Sequence, residues 1–218
     1  MHPIAYSAAY EGEGRNRLTV FFRWIVLIPW AFVAFFYGIG AYVATIIAWF
    51  ALLFTGKYPE GLYEFNRGFL RFAARVNGFC YLLTDEWPPF GGDEDPNYPV
   101  RLHVDDAKEE YSRMKVLFRI FLLIPVMILS YVMSFILGVV GFIAWLVIVF
   151  TGELPEGLYK PLRVASAYMA KALGYYLLIT EDFPPFWMDE SEEIGRFQGG
   201  GGAATPAVAP EPPAAPAV

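Results

Sequence analysis

Arg67, Arg71 and Arg75 recur at intervals of four residues. At 3.6 residues per turn they share one helix face with Glu64 and Gly78, while Phe65, Phe69, Phe72, Val76, Phe79 and Leu83 share the opposite one. A helix with bases on one side and aromatics on the other suits a membrane surface. Its apolar side can sink about 5–10 Å while its bases meet lipid phosphates. Ninety-six residues later Lys160, Arg163, Lys171 and Gly174 repeat the design, with Ala167 in place of the middle arginine. Arg67, Arg71, Arg75, Lys160, Arg163 and Lys171 are therefore the candidate lipid-headgroup contacts, and anionic lipid is the expected partner. The alternative is that the aromatic face packs on the protein's own apolar segments and the bases are simply solvated.

Other chemistry is sparse. His2 and His103 lie outside the apolar segments and do not suit an intramembrane haem or metal. Asp93, Glu94, Asp95, Asp105, Asp106, Glu109 and Glu110 cluster where a solvated acidic run is the usual meaning. Cys80 is the single cysteine, so neither an intrachain disulfide nor a Cys-rich metal site is available. The chain carries no phosphate-cradling glycine loop, no Gly-x-Ser-x-Gly elbow and no His-Glu-x-x-His motif. No ionisable acid or base lies near the centre of either apolar stretch, where carriers and pumps place one. The expectation is a non-enzymatic chain with no catalytic residue, metal or cofactor.

The elements that must position these residues are set by hydropathy. The chain is 56% hydrophobic and only 17% charged, where a soluble domain carries roughly a quarter charged residues. No ionisable acid or base falls between Arg23 and Lys57, or between Arg119 and Glu153. Each gap exceeds the ~20 apolar residues that cross a bilayer core. Acids collect in linkers and near the C-terminus while bases flank the apolar segments, a distribution that suits a membrane and excludes nucleic acid as partner. Gly56 and Gly152 stand where a helix would end on a left-handed residue. Pro59 with Glu60, and Pro155 with Glu156, stand where the next helix would begin. These six residues read as helix punctuation.

An internal repeat at an offset of 96 organises the whole chain. Phe54-Thr55-Gly56-Lys57-Tyr58-Pro59-Glu60-Gly61-Leu62-Tyr63 returns as Phe150-Thr151-Gly152-Glu153-Leu154-Pro155-Glu156-Gly157-Leu158-Tyr159. Thr84-Asp85-Glu86-Trp87-Pro88-Pro89-Phe90 returns as Thr180-Glu181-Asp182-Phe183-Pro184-Pro185-Phe186. The pattern Phe-Thr-Gly-x-x-Pro-x-Gly-Leu, an amphipathic stretch and then Pro-Pro-Phe resembles the bacterial domain-of-unknown-function family 4389. So does Tyr98-Pro99-Val100-Arg101-Leu102-His103-Val104 ahead of the second copy, an opening reduced to His2-Pro3-Ile4 in the first. The resemblance implies a tandem membrane protein and carries no activity.

The expected organisation is a first membrane repeat over 1–90, an acidic linker and lead-in over 91–112, and a second membrane repeat over 113–187. An acidic, then Ala/Pro/Gly-rich disordered tail follows over 188–218. The fold class is all-α, each repeat an apolar helical hairpin or one long tilted helix, followed by an amphipathic interfacial helix. A hairpin turning near Gly38-Ile39-Gly40 places every basic cluster on one side, as the positive-inside rule prefers. A single helix over 24–54 would run about 46 Å, long for an upright crossing. With hairpins, linker and tail share the cytoplasmic side of a multi-pass inner-membrane protein, and the copies are related by a two-fold axis along the membrane normal. Val100–Val104 alternates like a short strand. The function expected is a membrane scaffold or accessory subunit, with a membrane-protein partner or a homo-oligomer. The alternative is an oligomeric transporter or channel component.

Overall fold

The computed structural model describes residues 2–185 and Phe197. The first repeat comprises β1 (Ile4–Ala8), α1 (Arg17–Phe21), α2 (Arg23–Val26), α3 (Ile28–Thr55) and α4 (Glu60–Cys80). The second comprises β2 (Val100–Val104), α5 (Arg113–Leu117), α6 (Arg119–Thr151) and α7 (Glu156–Tyr176). Subtracting 96 carries β2 onto β1, α5 onto α1, α7 onto α4, and α6 onto α2 and α3 together. The opening that the sequence reduces to His2-Pro3-Ile4 is thus a full strand in the first copy too.

Local chemistry sets the boundaries. Asn16 caps α1, its side-chain oxygen accepting from the Leu18 and Thr19 amides at 3.1 and 3.2 Å. Gly56 (φ 72°) and Gly152 (φ 80°) close α3 and α6 in the left-handed region, where a side chain costs about 1–2 kcal/mol. Pro59 and Pro155 sit at the N-caps of α4 and α7, one residue before the first-turn position expected, and Glu60 and Glu156 open those helices.

Of the two arrangements left open for the apolar segments, the long helix forms and the hairpin does not. α3 continues through Gly38, Ile39 and Gly40, and α6 through Met133–Ile136. The glycines serve packing instead: a Cβ on Gly40 would stand 3.0 Å from the Phe65 ring, and one on Gly38 would stand 3.6 Å from Phe69. A mid-helix glycine costs about 0.5–1 kcal/mol, whereas opening the backbone ladder amid apolar side chains costs several per unsatisfied group.

The two copies interlock about a two-fold axis. β1 and β2 pair antiparallel, Ile4 opposite Val104 and Ala8 opposite Val100. The central pair, Tyr6 and Leu102, joins residues equivalent by the offset, so the axis passes between them. Each copy's entry turn lies on the other copy's long helix. The Trp49 indole donates to the Val116 carbonyl at 3.2 Å, and Trp145 to Val20 at 3.0 Å. The Tyr111 amide donates to Gly56 at 2.8 Å, and that of Arg15 to Gly152 at 3.1 Å.

Three layers result. β2 runs antiparallel to α4, with Val100 against Gly78 and the Tyr63 hydroxyl donating to the Asp105 carbonyl at 2.5 Å. β1 runs antiparallel to α7, with Ile4 against Gly174 and Tyr159 donating to Ala8 at 2.6 Å. Antiparallel strands therefore make α4 and α7 antiparallel, with the axis across both. On the side of α4 away from the sheet, α3 runs antiparallel to it: Trp30 meets Phe79, Tyr37 meets Phe69 and Phe72, and Thr45 meets Asn66. The order is sheet and linker, then α4 with α7, then α3 with α6.

Candidate functional site: a charged roof, an apolar base and a pocket

The six bases expected at lipid headgroups are engaged within the chain. Arg67 bridges Glu64 at 2.7 Å and Asp106 at 2.9 Å, and Arg71 pairs with Glu94 at 3.5 Å. Arg75 donates to the carbonyls of Gly91 and Asp93. Gly92 approaches so closely that a Cβ on it would stand 2.4 Å from the Gly68 backbone, which holds the linker down on α4. Lys160 pairs with Glu156 at 3.0 Å, and Arg163 and Lys171 are buried. The aromatic face of α4, read as lipid-facing, packs on α3. Desolvation lowers the pKa values of Arg71 and Arg75 without approaching neutrality, since arginine stays charged in proteins.

Deeper bases tie the layers together, a use that no local sequence pattern signals. Arg23, with its side chain 2% exposed, donates to the carbonyls of Phe79 and Thr84 and to Asp85, and lies 4.3 Å over the Phe79 ring. Its equivalent Arg119 donates to Tyr175 at 2.7 Å and to Thr180, and lies 3.6 Å over the Tyr175 ring. Both thus add a charged donor to carbonyls at and just beyond the C-terminal ends of α4 and α7, where the helix dipole favours a cation. Tyr58, raised to about 12 by burial, donates to the Leu177 carbonyl at 2.9 Å and accepts from Asn66. Its phenol therefore stays neutral and keeps that bond at physiological pH.

The opposite surface has no such polar content. The stripe Ala41, Ala44, Ala48 and Leu52 of α3 is buried, as is Leu137, Gly141, Ala144 and Ile148 of α6. On their outer faces Phe32, Phe35, Ile39, Tyr42, Ile46 and Phe50, and Ile124, Ile128, Tyr131, Phe135, Val139 and Phe142, are exposed. Leu18, Trp24 and Ile25 extend this surface from the entry turns. Contiguous apolar exposure on this scale marks a partner or membrane surface. Among the described residues, two helices are long and apolar enough to cross a membrane, Ile28–Thr55 and Arg119–Thr151.

A pocket of about 370 Å³ opens between the copies. Its floor is Arg23, Cys80, Leu82 and Leu137, and the exposed Trp24 and Phe142 stand among its walls. Gly138 and Gly141 create the space; at the equivalent positions of the first copy Tyr42 and Thr45 carry side chains. Burial pushes the Cys80 thiol up, so it stays protonated and a poor nucleophile. The lining suits an apolar chain rather than a reaction. Among the described residues, no group of three or more His, Cys, Asp or Glu residues could hold a metal ion.

A family profile described as a domain of unknown function (DUF4389) matches residues 17–91 and 113–188, one match per repeat. No curated protein and no solved structure gives a match.

Proposed function

The chain belongs to the DUF4389 family, and on that premise we propose that it is a membrane-bound, non-enzymatic scaffold or accessory subunit. The observation that carries this reading is the separation of surfaces. One face of the molecule, built by α3 and α6, is apolar along its length, and the other holds the linker's carboxylates. The apolar face takes the bilayer and leaves the charged roof for a membrane-protein partner. The bases of α4 serve the roof, so affinity for the membrane comes from apolar area first and anionic lipid second. The pocket beside Trp24 admits one acyl chain of the lipid layer. The alternative, an oligomeric transporter or channel component, draws no support from α3, which has no charged residue. Linker and tail on one side, facing the cytoplasm of a plasma-membrane protein, is part of the proposal. The aromatic contact of Phe197 with His103, on the sheet side, supports a shared side.

The test is vesicle flotation of the purified full chain, followed by solute flux in proteoliposomes. The chain should float with neutral and anionic vesicles alike, and Phe35→Glu with Ile39→Glu should reduce flotation at unchanged helicity. Selective solute flux dependent on the protein would overturn the scaffold reading, and a chain that remains monodisperse without detergent or lipid would overturn membrane binding.

A further inference from the structure

We propose that α3 and α6 lie flat in a single membrane leaflet instead of crossing the bilayer, so that the chain is monotopic and its apolar base docks on the acyl layer. This rests on the membrane-bound reading above and specifies its geometry. The two-fold axis crosses α4 and α7, and α3 and α6 run antiparallel to those helices, so the axis is transverse to all four. An axis along the membrane normal therefore lays the helices in the plane, and an axis in the plane stands them upright with the repeats inverted.

Charge decides between the two. Tyr37, Gly38, Gly40 and Thr45 form the middle of α3, and they touch Phe65, Asn66 and Phe69 of α4. The same turns of α4 carry Glu64, Arg67 and Arg71, which face the linker. The carboxylates paired there are open to solvent: Glu64 is 50% exposed, Glu94 59% and Asp106 96%. Upright helices would hold these ionised groups at mid-depth in hydrocarbon, where charge is expelled. Flat helices hold every one of them on the water side, a full layer above the base.

Dimensions agree. From Ile120 to Phe150 the outer face of α6 exposes apolar side chains over about 45 Å, more than the ~30 Å of a bilayer core. A helix lying flat is about 10–12 Å across, which fits the ~5–10 Å depth of an interfacial apolar face. The base also extends sideways through Leu18, Trp24 and Ile25, which widens a raft more than it lengthens a crossing.

The experiment places a fluorophore on single cysteines at Phe32, Ile39, Ile46 and Phe54 of the full chain, in a Cys80→Ser background. The labelled proteins are bound to vesicles whose lipids are brominated at graded acyl depths. The expected result is one shared quenching profile at all four positions. Deep quenching at Ile39 and Ile46 with shallow quenching at Phe32 and Phe54 would mean a crossing helix and overturn the proposal while leaving membrane binding intact. Quenching at none of the four would overturn membrane binding itself. Sidedness gives a second readout that leaves the apolar face unaltered. Lys57→Cys and Glu86→Cys flank opposite ends of α3, and an impermeant reagent should reach both from the same side of the membrane. Labelling from opposite sides would contradict the flat placement.

Discussion

Arg23 and Arg119 show how one residue can hold an interlocked fold. Replacing Arg23 by Met takes from Asp85 one of its two arginines, Arg15 remaining at 3.2 Å, and takes the guanidinium donor from the Phe79 and Thr84 carbonyls. A hydrogen bond to a charged group contributes about 1.5–3 kcal/mol, and three are lost together. The expected outcome is a large drop in the unfolding midpoint in detergent, with Arg23→Lys falling between. The α4 bases behave differently. Sequence alone predicts that Arg67, Arg71 and Arg75 replaced by Gln weaken vesicle binding by about 3 kcal/mol, about 1 per base. With these side chains turned to Glu64, Glu94, Asp106 and the linker carbonyls, the expected loss of binding is under about 1 kcal/mol. The damage should appear instead as faster proteolysis of the linker. At the pocket, Gly138 has open space around its missing Cβ. Gly138→Phe should therefore fold, and should abolish stabilisation by added lipid without changing flotation.

At the scale of elements, glycine again separates what was local from what was not. Gly56, Pro59, Gly152 and Pro155 were legible because a left-handed cap and a proline N-cap depend on a few neighbouring residues. Gly38 and Gly40 were misleading because the same residue type serves a turn or a close approach, and only the rings of Phe65 and Phe69 decide which. β1 was missed since Ile4-Ala5-Tyr6-Ser7-Ala8 has one β-branched aliphatic residue and forms only by pairing almost a hundred residues away. The two faces of α4 were read correctly, and their partners could not be, because amphipathicity does not say whether lipid or protein covers the apolar side. Gly78→Ala tests the strand-on-helix contact. Its Cβ would stand 2.7 Å from a Val100 methyl on a short, branched side chain. Overpacking of this kind costs about 1–3 kcal/mol, more than the ~0.5–1 kcal/mol that alanine gains in a helix, so thermal unfolding should move down.

For the whole molecule, the repeat was readable in outline and its interlocking was not. Each copy's entry turn packs on the other copy's long helix, through Trp49 to Val116 and Trp145 to Val20. Residues 1–96 expressed alone should consequently form a homodimer or fail to fold, and a folded monomer by light scattering would contradict the reciprocal packing. The proposed flat placement keeps the two-fold axis along the membrane normal that hairpins required, since both arrangements face the copies the same way. An upright arrangement would instead leave ionised carboxylates near the bilayer centre, at about 2.5–3.5 kcal/mol each. Oriented circular dichroism of the full chain in aligned bilayers tests this placement most directly. The four long helices should give the strong parallel-polarised band of helices lying in the membrane plane. Loss of that band, the signature of helices along the normal, would contradict the account.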